Sequence, residues 1–214
     1  MSAGRNWRIA ACAALAVLLA GCEGTSDAER IGQLLRLQFQ SIGGVVEVPR
    51  EQVVAIPYAT LGVQLGSSDQ AMFVLSGKSG DDLNWVGGTQ FAITTRGGRI
   101  LRTAGFKYNL GGLQSGDSVG GAAARDYRYD FGDLNAYGVA VRCSLRDTGP
   151  ERIMILGDAH DTRHLVEDCA AAELDWSFTN EYWANAASGF VWKSIQNIHP
   201  GLDAITLVTF RPAV

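Results

Sequence analysis

Hydrophobic positions change their period twice along this chain. Residues 9–20, IAACAALAVLLA, form an uncharged run of 12, too short to cross about 30 Å of hydrocarbon as a helix. Ile31, Leu34, Leu35 and Phe39 then recur at helical spacing, with Leu37 less regular. They predict one amphipathic helix over residues 28–41 packing on the body, with Ser26 or Asp27 available as its cap. From Val45 the pattern becomes short and β-branched, in VVEVP, QVVAIPY, LGVQLG, QAMFVLSG, DLNWVGG, TQFAITT and RILRTAGF. TTRGGRIL predicts a tight hairpin, because Gly97 and Gly98 can supply positive φ angles. Pro49 and Pro57 lack an amide hydrogen and suit strand ends or an edge. Residues 110–125 have little periodicity and read as a long loop. Further strands follow, divided by turns at DTGPE, GDAHD, NAASG and HPGLD. In ELDWSFTNEYWANA, Leu174, Trp176, Phe178 and Tyr182 share one parity, broken at Asn180. The predicted fold is mainly β: an antiparallel meander forming an open or partly closed barrel, with the N-terminal helix packed on it. Closure would hide the edge strands.

The first apolar run has a basic start at Arg5 and Arg8 and ends in Leu19, Ala20, Gly21 and Cys22. Its length suits a signal-peptide core, and LAGC resembles the bacterial lipoprotein box. In that pathway the peptide is cut before the cysteine, and diacylglycerol and an amide-linked acyl chain are added. Small residues at 20 and 21 fit an extended backbone into a narrow protease cleft. Cys22 is therefore the expected lipidation site, and Cys12 goes with the signal. Three acyl chains satisfy the need for more than one chain in stable anchoring. Glu23 takes the place of the aspartate that usually retains such proteins at the inner membrane. By analogy, the address is the outer membrane, lipid-anchored and facing the periplasm. The predicted organisation is a removed signal peptide at 1–21, a lipidated tether at 22–27 and a single β-rich periplasmic domain at 28–214.

Composition narrows the partners. The chain has 214 residues and a formal net charge of −4. Removal of residues 1–21 takes two arginines and no acid, leaving 193 residues at −6. That length builds one domain with a sizeable core. The acidic balance argues against nucleic-acid binding, which needs clustered positive charge.

Candidate chemistry is sparse. GDAHDTRHLVEDC groups Asp158, His160, Asp161, His164, Glu167 and Cys169. A metal needs converging ligands, but on a strand His164 and Glu167 point to opposite faces. No metal or cofactor is expected. Cys143 and Cys169 are either disulfide partners in an oxidising compartment or two separate buried thiols. If DTGP is a hairpin turn they lie a strand apart and out of register, beyond the reach of a disulfide, which favours separate thiols. Neither stands in a Cys-His nucleophile arrangement. No GxSxG, GxGxxG, Walker or HExxH motif occurs. The aromatic set offers more. With NAASG as a turn, Trp183 and Trp192 fall close to opposite one another, which is an ordinary source of sheet stability. The sharper reading is a sugar platform. Trp183 has the opposite parity from Trp176 and would then be exposed, with Asn180, Lys193 and Trp192 completing a glycan or partner surface.

LAGC at 19–22, VVAIPYATLGVQLG at 53–66, TRGGRILRTAGF at 95–106, NEYWANAASGFVWKSIQ and ITLVTFRP together resemble the YjbF-type family of group 4 capsule polysaccharide lipoproteins. The likeness covers nearly the whole mature chain, with 110–135 and 143–160 poorly matched. It implies a barrel-like β body with a helix, in the setting of exopolysaccharide or capsule production and export. It brings no catalytic residues. The expected function is a non-enzymatic accessory lipoprotein contacting glycan or an envelope export component. One alternative is a polysaccharide hydrolase with paired carboxylates, for which Asp130, Asp133, Glu173 and Asp175 are available and a separation of about 5 to 9.5 Å would be needed. The other is a purely structural envelope tether.

Overall fold

The computed structural model describes residues 47–115 and 124–213. The expected lipid anchor at Cys22 and the expected helix over 28–41 lie outside them. Among the described residues the strands are β1 (Thr60–Leu65), β2 (Ala71–Ser79), β3 (Asp82–Gly87), β4 (Phe91–Arg96), β5 (Arg99–Ala104) and β6 (Gly112–Ser115). They continue as β7 (Ala124–Phe131), β8 (Ala136–Ile155), β9 (Asp158–Ala171), β10 (Trp176–Ala184), β11 (Val191–Gln196) and β12 (Ile205–Arg211). All twelve form one sheet in the order β5-β4-β3-β2-β1-β12-β11-β10-β9-β8-β7-β6, and every neighbouring pair is antiparallel.

The two edge strands, β5 and β6, come together. Thr103 donates its amide to Leu110 O at 2.9 Å, and the Leu110 amide donates to Thr103 Oγ1 at 3.0 Å. Arg102 Nε donates to Gly111 O at 3.1 Å. The sheet thus nearly closes into a barrel, as the meander pattern predicts.

The interior follows from the two-residue period of a strand. In β12, Ile205, Leu207 and Thr209 turn inward and Thr206, Val208 and Phe210 outward. One core joins Leu61, Phe73, Trp85, Ile93, Ile100, Phe131, Val141 and Leu207 across the barrel. The β4–β5 hairpin turns at Gly97 and Gly98, with φ of 54° and 81°, as the Gly-Gly pair predicts.

Four local expectations are corrected. QVV is not a strand: α1 (Arg50–Val54) begins there, because extended Pro49 offers its carbonyl to the amides of Gln52 and Val53. Part of the 110–125 loop is strand β6, which pairs with β7. DTGP is not a hairpin turn. It lies within β8, where Asp147↔Leu165 and Gly149↔His164 mark an irregularity in register. The turn is at Leu156–Gly157, with φ of 51° and 86°, so DAHD opens β9 and is not the turn itself. A bulge absorbs turn-type residues without ending a strand.

With the hairpin reset, Cys143 falls opposite Cys169, their Cα atoms 4.0 Å apart, and the two form a disulfide. The register that favoured separate thiols rested on the misplaced turn.

One end of the barrel is closed by loops. His199 is buried there, stacked on Tyr108 at 4.9 Å and edge-on to Phe131 at 5.1 Å. Its Nδ1 accepts the Gly201 amide at 3.0 Å. Its Nε2 lies 3.1 Å from Asp133, an ion-pair approach too poorly aligned for a hydrogen bond.

Arg152–Asp161 at 2.6 Å, Arg163–Asp147 and Arg146–Asp168 at 3.4 Å brace the β8–β9 hairpin outside. Hydrogen bonds from Arg163 and from Arg152 hold Asp147 and Asp161 below the usual carboxylate range, and one from Thr179 does so for Asp168. A depressed folded pKa contributes stability above the unfolded value of about 3.9, which is lost as pH falls further. The hairpin amides are therefore expected to lose protection below about pH 4 while the barrel core keeps it. Protection factors measured at pH 5 and pH 3 check this.

Candidate functional site

The β4–β5 and β10–β11 turns lie at the end of the barrel opposite His199. They flank a slot of about 210 Å³. Leu61, Trp85 and Leu207 form its base, and Phe190 and Trp192 stand at its rim. The hydroxyl-bearing residues Thr95, Ser194 and Thr209 also line it.

Local sequence explains this shape. Gly98 sits directly against the Val191 side chain, and a Cβ there would collide with it. The missing side chain lets the β4–β5 turn lie on the start of β11. Gln196 fastens the two. Its Oε1 accepts the Ile100 amide at 2.9 Å, and its Nε2 donates to Gly98 O at 2.8 Å. Trp85 is fixed by donating Nε1–H to Thr95 Oγ1 at 2.9 Å. Across β10 and β11, Trp183↔Lys193 is followed by Ala184↔Val191, so Trp192 is the extra residue of a bulge. A bulge re-aims its side chain. His160 packs on Trp192 at 4.0 Å and Phe190 meets it edge-on at 4.8 Å.

Elsewhere in the barrel interior lies a charged cluster. Glu167 is 0% exposed. Arg99 Nη2 donates to both its oxygens, at 2.7 and 2.9 Å. Tyr127 donates its hydroxyl at 3.1 Å, Asn180 its amide at 3.1 Å and Tyr182 its hydroxyl at 3.4 Å. The Arg99 guanidinium also lies over the Tyr127 ring at 4.6 Å and the Tyr182 ring at 5.2 Å. Burial opposes the charge on Arg99. Tyr182, Glu167 and Tyr127 outweigh burial, and its pKa is raised. Burial likewise pushes the Tyr127, Tyr129 and Tyr182 phenols up, against the opposite pull of Arg99. The cluster links β5, β7, β9 and β10 across the lumen. Buried charge is tolerated only when paired and hydrogen-bonded. The sequence puts Glu167 on a strand facing opposite to His164, as observed, but does not single out Arg99. The available signal is inward parity, since Glu167 shares the face of Cys169 and Ala171.

The sequence-derived surface is split by the structure. Trp183 faces outward as its parity predicts but is not exposed. It is 6% accessible, stacked under His164 at 4.5 Å with Lys193 Nζ 4.5 Å from its ring. Asn180 faces inward, holding Glu167 and accepting the Asn197 amide at 2.8 Å. Neither is free to contact a glycan. Trp183 pairs with Lys193, one place from the predicted Trp192. Lys193 and Trp192 both border the slot.

His164 approaches Glu181 at 2.7 Å and Glu151 at 3.2 Å on the outside, away from buried Glu167. Among the described residues, Cys143, Glu167 and Cys169 form the metal-capable grouping, but both sulfurs are bonded to each other. Of the four acids considered for hydrolysis, Asp130 accepts the Gly138 amide at 2.7 Å and Asp133 approaches His199. Glu173 and Asp175 are exposed beside a short 3-10 turn. None lines the slot.

Residues 33–210 match the family described as "Group 4 capsule polysaccharide lipoprotein gfcB, YjbF". The chain is 22% identical over 178 residues to "Uncharacterized lipoprotein GfcB" of Escherichia coli K12, covering 78% of this chain and 83% of that one. The crystal structure of the hypothetical lipoprotein YmcC from Escherichia coli K12 superposes with a TM-score of 0.72 at 18% identity, covering 91% of this chain and 99% of that one. The chain belongs to the group 4 capsule polysaccharide lipoprotein family GfcB/YjbF, a non-catalytic accessory class that is lipid-anchored in the outer membrane and faces the periplasm.

Proposed function

We propose that this protein is an accessory lipoprotein of capsule or exopolysaccharide export whose barrel mouth receives one sugar ring of the polymer. The slot between the two turns supports this reading. At about 210 Å³ it is smaller than the roughly 300–1,000 Å³ of drug-sized ligand sites, so it suits a single ring and not an oligosaccharide chain. Its apolar base and the Phe190 and Trp192 rim offer flat surfaces to the apolar face of a pyranose. Thr95, Ser194 and Thr209 line the same slot with neutral hydroxyls that can meet sugar hydroxyls. The acyl chains on Cys22 would keep the mouth near the site of polymer passage.

Titration of the full-length lipoprotein in detergent with oligosaccharides cut from the native polymer tests this. Trp192→Ala is expected to weaken binding about tenfold, or about 1.4 kcal/mol, with an unchanged melting curve. Equal binding by the variant, or none by the parent, would sink the proposal. The anchor has its own check. Cys22→Ser is expected to move the protein out of the membrane fraction, and continued acylation of that variant would contradict the assignment.

A further inference from the structure

The β8–β9 hairpin outruns the strand beside it. Ala184, at the end of β10, pairs with Arg163, and residues 158–162 of β9 pair with β8 alone among the described residues. This arm does not stand free. His164 stacks on Trp183 of β10, and His160 packs on Trp192 of β11. Leu156 joins Val48, Val53, Ile56 and Met72, together with Phe210 of β12. Arg50 of α1 pins the tip, donating Nη1–H to Leu156 O and to Asp158 Oδ2 at 2.9 Å. An arm held at its tip and its root bears on the rings beneath it from outside.

Trp192 is where this bears on the slot. It lines the slot, and His160 does not. As the extra residue of its bulge, Trp192 has no partner on β10, so its ring is set by what packs on it. His160 does so at 4.0 Å and Phe190 edge-on at 4.8 Å. We infer that His160 is the positioning residue for Trp192, and that its protonation tightens the slot's grip on a bound ring. The grip on a ring rests on the sugar reading above; the hold on Trp192 does not. An imidazole is the side chain that changes charge between about pH 5 and 8. An imidazolium against an indole gains a cation–π attraction that the neutral ring lacks. The other charged groups around the arm are engaged elsewhere. Asp158 is held by Arg50, and Asp161 by Arg152 of β8 at 2.6 Å. Glu151 of β8 approaches His164 at 3.2 Å, and Lys193 Nζ of β11 lies over Trp183. The proton on His160 therefore acts chiefly on Trp192.

Fluorescence of the full-length lipoprotein in detergent tests the contact without any sugar. Subtracting the emission of Trp192→Phe isolates Trp192 and removes the response of Trp183 to His164. Imidazolium quenches indole, so the Trp192 emission is expected to fall about twofold from about pH 8 to about pH 5. It is expected to stay flat in His160→Phe, which keeps a ring in place and loses the proton. Titration with oligosaccharides cut from the native polymer reads the consequence. The parent is expected to bind about threefold more tightly at the lower pH. His160→Ala is expected to bind more weakly than the parent at both, and His160→Phe to recover binding without the pH dependence. A Trp192 emission unchanged by pH, or one that responds equally in His160→Phe, would overturn the inference. So would parent binding equal at both pH values, or His160→Ala binding that matches the parent. An intact emission response with no sugar bound at either pH would overturn the sugar reading and support the hold of His160 on Trp192.

Discussion

Glu167→Ala is expected to destabilise the protein by about 3–5 kcal/mol, the range for breaking a buried ion pair. The substitution removes an acceptor for Arg99, Tyr127, Asn180 and Tyr182 together. It strands the Arg99 charge, mostly buried, without its carboxylate partner. For a chain of this size the melting temperature should fall by roughly 6–20 °C. Arg99→Met with Glu167→Leu is expected to lose less than either single change, because no charge is left behind. Thermal denaturation of the four proteins measures the coupling. Additive losses would show that the pair does not act as a unit.

Removal of the disulfide by Cys143→Ala with Cys169→Ala should cost about 2–4 kcal/mol, as expected for the loss of a native cross-link. The bond closes a segment with a sequence separation of 26, which contains the whole exposed end of the β8–β9 hairpin. Its loss frees the unfolded chain and leaves the folded ladder paired on both sides by β7 and β10. The denaturation midpoint should fall with little change in the folded spectrum, and added reductant should reproduce the shift in the parent. A midpoint insensitive to both would refute the cross-link's role. Glu167 lies two residues from Cys169 on the same inward face. The two sets of changes are therefore expected to couple.

The parts of the fold legible in sequence were those set by strong local chemistry. Gly97–Gly98 marked its hairpin because few other pairs tolerate two positive φ angles. The alternation in ITLVTF placed the inward face of β12 without reference to any neighbour. Reading failed where a neighbour decides. DTGP has the composition of a turn, but pairing with β9 carries it as an irregularity inside β8, and that one misplacement put Cys143 and Cys169 out of register. QVV is β-branched, yet Pro49 starts a helix there. The inward direction of Glu167 could be read by parity. Its partner Arg99 could not, because the two meet across the lumen and are 68 residues apart in sequence. Trp183 shows the same limit in reverse: parity gave its face, and only the packing around it shows that this face is covered.

The central claim is that the slot between the β4–β5 and β10–β11 turns receives a sugar ring. Hydrogen–deuterium exchange of the full-length lipoprotein, with and without oligosaccharides from the native polymer, tests it most directly. Added protection confined to the β4–β5 turn at Gly97–Gly98 and the start of β11 from Phe190 to Ser194 is the predicted result. Unchanged exchange there, with protection appearing on another surface or nowhere, would contradict it.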